Sequence, residues 1–292
     1  MEAALLNPLA PAPRGMWTGQ GVRVSRRRGA HRPHAAEGAV CTPRFCVQRR
    51  GQMLTVEHNL NPDELCDELA VMLAEQLADR GALRSQAEFE MVFTGIVRST
   101  VDGGLSAWLR FYRNSIAKLE GDATAFAPIH AWAASMVVGH SLVDLGSCFG
   151  FFPLRMARHG IQVTATDLSD PTMELLRRIS LQMRRPLTTL GCDAAAVPMP
   201  DRCADTVTAL HLIEHLLPAV AGDVIEEALR LARRRVIIAV PFEDEPRECY
   251  GHIQRFDLPA LQRIADALVL RHRDITAKAY EFHGGWLILD RR

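Results

Sequence analysis

Apolar positions along this chain follow three regimes. Before residue 53 no apolar period is sustained. From about 61 to 120 they recur at helical spacing, and from about 140 they gather into short β-rich runs separated by helical stretches. Asn61-Pro62-Asp63-Glu64 supplies an N-cap, a proline at the first helical position and an acid behind it, ahead of a stripe of Leu65, Leu69, Met72, Leu73 and Leu77. Ser85 and Glu88 form a capping-box pattern. Asp102-Gly103-Gly104 breaks the chain before a third helical face of Leu105, Trp108, Leu109, Tyr112, Ile116 and Leu119. The strands expected beyond are Ser141–Leu145, Ile161–Thr166, Leu187–Leu190, Thr206–Leu210 and Val236–Val240, with two more near Leu268–Ile275 and Trp286–Leu289. Such alternation predicts an α/β fold with an open, mostly parallel sheet covered by helices on both faces.

Composition narrows the class. The 292 residues are 48% hydrophobic and carry 34 basic and 34 acidic side chains, so no global charge draws the chain to nucleic acid or an anionic membrane. No apolar run is long enough to span a bilayer. The zero balance hides an asymmetry, because residues 1–52 hold nine arginines against Glu2 and Glu37. With five prolines and six glycines, that segment reads as a basic, disordered tail, or as an over-extended start ahead of Met53. The expected organisation is this tail (1–52), a helical cap region (53–130) and a ligand-binding domain (131–292). Seven cysteines with no C-x-x-C pair argue against a disulfide scaffold or a zinc ribbon and for a reducing cytoplasm.

In an open parallel sheet, ligands sit at the carboxyl ends of the strands. The first of these strands ends in Asp144-Leu145-Gly146-Ser147-Cys148-Phe149-Gly150, with glycines for a tight turn and for a helix starting close to the strand. The second ends in Asp167, followed by Leu168, and an acid there can accept hydrogen bonds from both hydroxyls of a ribose. The third runs into Gly191-Cys192-Asp193-Ala194. A nicotinamide dinucleotide would require G-x-G-x-x-G, but Cys148 stands at the middle glycine and no Tyr-x-x-x-Lys pair is present.

Over about residues 130–290 these features resemble the class I S-adenosylmethionine-dependent methyltransferases. Asp144-x-Gly146 matches their first motif, Asp167 the ribose-binding acid, and Asp193 with the Ala194 amide the adenine contact. Val197-Pro198-Met199-Pro200-Asp201 before Asp205-Thr206-Val207 is similar to the family's stretch ahead of strand four. Cys148 departs from the usual glycine. The resemblance implies a Rossmann-like fold with a seven-stranded sheet, S-adenosylmethionine as cofactor, and Asp144, Gly146, Cys148, Gly150, Asp167, Leu168, Asp193 and Ala194 around it.

After strand four comes His211-Leu212-Ile213-Glu214-His215. Taken alone this is H-x-x-E-H, the pattern of a zinc metallohydrolase with His211, Glu214 and His215 on one helical turn. His211 directly follows an apolar strand, which favours a strand-end turn instead. In the methyltransferase reading His211 or His215 is the base that deprotonates an acceptor, with His211 preferred. Glu214 orients a histidine or, with one, holds a divalent ion. No metal ligand set is assigned from the sequence. The [DN]-P-P-[YF] pattern of base-methylating enzymes is absent here, so nucleic acid is not the expected substrate.

Pro241-Phe242-Glu243-Asp244-Glu245 and Tyr250-Gly251-His252-Ile253-Gln254-Arg255 offer Glu243, Tyr250, His252 and Arg255 as acceptor contacts. Tyr250 and Trp286 are candidate platforms for a sugar face. Together with Gly146–Phe151, the His211–His215 stretch and the ending His283-Gly284-Gly285-Trp286, these segments resemble the mycofactocin oligosaccharide methyltransferases of actinobacteria. That resemblance implies O-methylation of a sugar hydroxyl. Another small hydroxylated metabolite is the alternative acceptor.

Overall fold

A computed structural model describes residues 6–27 and 38–292 and divides the chain into two compact units. The first runs to Thr124 and takes in the short turn Glu248–Tyr250; the second comprises Ala125–Arg247 and Gly251–Arg292.

The first unit is not a tail followed by a helical cap. Strands β1 (Met16–Gly19), β2 (Val22–Arg26), β3 (Val40–Cys41), β4 (Phe45–Arg50) and β5 (Met53–His58) form a sheet of order β1-β2-β5-β4-β3. The tail expectation thus fails over 6–27 and 38–52, while Arg28, Arg32 and Glu37 lie outside the described residues. Met53 opens β5, which lies between β2 and β4, so a chain starting there would keep a single strand of this sheet. The reason is a pattern too short to register as a period. Trp17, Val22, Val24, Phe45 and Val47 are buried, and intervening arginines find acids and amides elsewhere in the unit. Arg49 makes a bidentate pair with Glu88 (2.8 Å twice), Arg44 meets Glu64, and Arg26 reaches Asn61. Cys41 and Cys46 are cross-strand partners joined by a disulfide, contrary to the expectation from cysteine spacing.

The helices fall near their signals. Asn61 and Glu64 complete a capping box at a 3-10 turn, after which α1 (Leu69–Leu73) continues into a π-turn. Ser85 caps α2 (Gln86–Thr100) by accepting from the Glu88 amide, and α3 (Gly104–Glu120) buries Trp108, Phe111 and Tyr112. Helix α2 packs on β1 and β2 so closely that a Cβ at Gly95 would sit 2.4 Å from Val24.

The second unit has the expected layered sheet. Its strands are β6 (Ser141–Asp144), β7 (Gln162–Asp167), β8 (Thr188–Gly191), β9 (Ala204–Leu210), β10 (Ala232–Val240), β11 (Ile275–Glu281) and β12 (Gly285–Arg291), in the order β11-β12-β10-β9-β6-β7-β8. β12 alone runs opposite to the other six strands. Val236–Val240 is buried throughout, as a central strand covered on both faces must be. One face packs under α7 (Pro218–Leu231) and α8 (Leu258–Arg271), the other under α4 (Ala127–Met136) and α5 (Phe151–Arg158), while α6 (Asp170–Gln182) joins β7 to β8. Leu268 belongs to α8 rather than to a strand. Asp257 caps that helix, and Leu261, Ala265 and Leu268 form one buried helical stripe. Strand order reverses between β6 and β9, which opens the crevice at their carboxyl ends where such sheets take ligands.

Candidate active site

The β6–α5 loop is held from several sides. The Asp144 carboxylate turns inward, only 4% exposed, and accepts from the hydroxyls of Thr208 and Ser147. Burial pushes its pKa up to about 6. Asp144 therefore shapes the loop from behind. Gly146 has φ +65°, and a Cβ there would lie 2.5 Å from Leu212; Gly150 has φ +67°, and a Cβ there would lie 2.4 Å from Leu176. Only glycine satisfies both the conformation and the space. Cys148, exposed at φ +49°, adopts left-handed backbone without being glycine.

The rim acids separate by role. Asp167 accepts the Cys148 amide on one oxygen and the Ser169 amide on the other, each at 2.9 Å, which fixes it beside the loop. Leu168 next to it is 70% exposed, an apolar lip on the rim. Asp193 is exposed and accepts from the Ala195 amide, with Ala194 half-buried between them. Gly191, which no motif singled out, has no room for a side chain: a Cβ would fall 1.7 Å from an Asp170 oxygen.

At the end of β9 no helix spans 211–215. His211 has φ +56° and donates its amide to Ala239, and a single 3-10 turn covers Ile213–His215. The helical turn required by the metallohydrolase reading does not form, because the His211 amide is held by the Ala239 carbonyl of β10 just past the end of β9. Its Nδ1 lies 3.3 Å from Oε1 of Glu214, and its ring stands edge-on to Phe126. Glu214 is 1% exposed, and neither of its oxygens accepts a hydrogen bond among the described residues. Burial lowers the His215 pKa, and its ring meets that of His252 edge-on at 4.7 Å.

The segment after β10 folds back over this turn. Ile253 and Gln254 donate their amides to the Glu214 carbonyl, and the Gln254 side chain bridges the carbonyls of Ile213 (2.8 Å) and Leu216 (2.7 Å). His252 is thereby set against His215, with Nδ1 2.8 Å from Glu243. The remaining acceptor candidates go elsewhere. Arg255 is exposed and donates to the Asp244 carbonyl, and Tyr250 packs in the first unit with its ring edge against Phe89. Trp286 is 1% exposed in the sheet core, its indole donating to Phe282, so it offers no sugar platform. Two residues that no motif flagged also belong here. His130 on α4 stands against Phe152, and burial, with Arg155 and His211 nearby, pushes its pKa down to about 3. Arg155 buries Nε and Nη1 without an acceptor among the described residues.

A family of methyltransferase domains matches residues 143–240, from β6 to the end of β10. The second unit has the Rossmann-like fold of the class I methyltransferases. S-adenosylmethionine is its cofactor. The loop fits that molecule: two left-handed glycines without space for a Cβ, a fixed acid at the second strand end, and an exposed apolar neighbour for a nucleoside. No curated protein matches the chain. Among solved structures, magnesium protoporphyrin IX methyltransferase from Synechocystis with bound cofactor is 16% identical, with 64% of this chain and 84% of that one covered at a TM-score of 0.44. A S-adenosylmethionine-dependent methyltransferase from Aquifex aeolicus is 13% identical (61% and 97% covered, TM-score 0.43). The small RNA methyltransferase HEN1 is 16% identical, with 56% of this chain and 25% of that one covered at a TM-score of 0.50. That last likeness is one of fold.

Proposed function

We propose that this methyltransferase methylates a hydroxyl oxygen of a small glycan or other hydroxylated metabolite, with a sugar hydroxyl of the mycofactocin oligosaccharide as the specific acceptor. The observation that carries the reading is the contact of Leu212 with Gly146, which brings the His211–His215 turn against the loop that cradles the cofactor. S-adenosylmethionine supplies an electrophilic methyl group on a sulfonium. A hydroxyl attacking it must lose its proton, and His211 is the group to take it. Its side chain is 20% exposed, and Nδ1 lies 3.3 Å from the buried Glu214 carboxylate, which limits how the ring can turn. Phe126, exposed beside His211, gives an apolar wall for the acceptor. In this reading Asp167 holds the ribose, and Leu168, Asp193 and the Ala194 amide hold the adenine end.

The test is transfer of labelled methyl from the cofactor to synthetic glucose oligomers, read by mass and by position of substitution. His211→Ala is expected to lower turnover on the order of 100-fold, the lower end of general-base contributions, with cofactor affinity unchanged by calorimetry. Asp167→Ala is expected to weaken cofactor binding instead. Undiminished turnover in His211→Ala would remove the base assignment, and methylation of an amine or a carbon in place of oxygen would remove the hydroxyl reading.

A further inference from the structure

We infer that Glu214, His215 and His252 form a binding site for one divalent first-row transition cation. Each residue offers one ligand atom, and the three atoms lie within 4.8 Å of one another. Ligand atoms held at about 2.0–2.2 Å from an ion lie about 3.4 Å apart in a tetrahedral set, so side-chain rotation is needed to close the three onto one ion.

The strongest indication is Glu214. Its carboxylate is 1% exposed and neither oxygen accepts a hydrogen bond among the described residues. Burying a carboxylate without a hydrogen-bond partner is costly, and such groups need an explanation in a missing partner. His211 Nδ1 at 3.3 Å from one oxygen is poorly aligned to donate, and a cation beside the same carboxylate supplies the absent charge. The second indication lies behind the imidazoles. His252 is 8% exposed and engages Glu243 through Nδ1 at 2.8 Å, which presents its other ring nitrogen as a lone-pair donor. A carboxylate behind a histidine in this way fixes the tautomer and raises the basicity of a metal ligand.

The ligands are also pre-positioned. Glu214 and His215 share one 3-10 turn, and His252 comes from the returning segment that Ile253 and Gln254 tie to that turn by four hydrogen bonds. Two imidazoles and one carboxylate suit zinc, manganese, cobalt or iron better than magnesium or calcium, which prefer all-oxygen shells. Three protein ligands leave positions open, as in catalytic rather than structural sites. Resting on the hydroxyl reading, the cation would lower the pKa of the acceptor hydroxyl beside His211. That proton goes to the base, the new O–CH3 bond forms, and the S–CH3 pair returns to sulfur.

Full-length protein stripped with a chelator is titrated with Co²⁺, read by visible absorption and calorimetry, and separately with S-adenosylmethionine. One Co²⁺ per chain is expected. Glu214→Gln and His252→Ala should each weaken it at least tenfold, and Glu243→Gln by about 10–100-fold, while His211→Ala retains one site. Cofactor affinity within threefold of wild type shows that a variant is folded; Glu243→Gln, one step removed from the ion, keeps the test open should the others collapse. No saturable Co²⁺ binding by wild type, or binding unmoved in all three folded variants, overturns the site. Loss of cofactor binding with Co²⁺ retained would overturn the methyltransferase reading alone.

Discussion

Asp144 offers a sharp test of how the cofactor loop is held. Its carboxylate is almost completely buried, and burial raises its pKa from 3.8 to about 6. A tenfold change in proton affinity corresponds to about 1.4 kcal/mol, so ionisation of Asp144 in the folded protein costs roughly 3 kcal/mol at high pH. The folded state binds the proton more tightly than the unfolded chain. This contribution is therefore most favourable below pH 4 and is lost as pH rises through 6. Asp144→Asn removes the charge without orphaning a partner. The amide oxygen can accept from Thr208, the amide nitrogen can donate to Ser147, and the Ser147 hydroxyl then donates to the Asp144 carbonyl, already 3.0 Å away. Urea unfolding of both proteins at pH 5 and pH 8 should show the variant gaining about 1.5 kcal/mol on wild type between the two. Parallel pH profiles, within about 0.5 kcal/mol, would mean that Asp144 is not desolvated as described.

Gly146→Ala is expected to destabilise the second unit by about 1–2 kcal/mol, since it combines a left-handed φ with a Cβ 2.5 Å from Leu212. It should also weaken S-adenosylmethionine binding, and calorimetry showing wild-type affinity would count against the loop as the cradle. In the first unit, a double-mutant cycle on Arg49→Ala and Glu88→Ala should give a coupling of about 1 kcal/mol, because the pair is bidentate and mostly shielded. The Arg49 guanidinium holds the Glu88 carboxyl below its usual range. The coupling should therefore persist above the unfolded carboxylate pKa and fade as pH falls through and below it, and a pH-independent coupling would refute the ion pair.

The elements that can be anticipated are those whose information is local. A β-branched run ending in D-x-G states where a strand stops and what its turn demands, and Asp144, Gly146, Asp167 and Asp193 all fall where that grammar puts them. The first sheet is hidden because its apolar runs last only two or three positions: Val22 and Val24 around Arg23, and Phe45–Val47 between Arg44 and Arg49. Those arginines raise the local charge to a level typical of disorder. Their acids, Glu64 and Glu88, lie far along the chain, and charge counted by segment cannot see pairs between segments. Leu268 is ambiguous for a related reason, since a short apolar run fits a strand or the end of a helix, and only the Asp257 cap decides between them.

The histidine–carboxylate cluster shows the same limit and one way past it. No spacing rule connects Glu214 with His252, whose meeting depends on the segment after β10 returning across the end of β9. Yet Glu214 sits between Ile213, which is fully buried, and His215 in an otherwise apolar turn. A carboxylate committed to the interior, with no lysine or arginine at helical or strand spacing to meet it, contradicts the local rules that the rest of the sheet obeys. Such conflicts concentrate where function overrides stability. The chain tolerates one here because the buried charge, the strained His211 backbone at φ +56° and the Gln254 tie all converge on a single strand end, next to the glycine loop. If Glu214 merely packed the turn, an amide or an apolar residue would serve at lower cost, and neither would place a carboxylate oxygen without a hydrogen bond beside the imidazoles of His215 and His252.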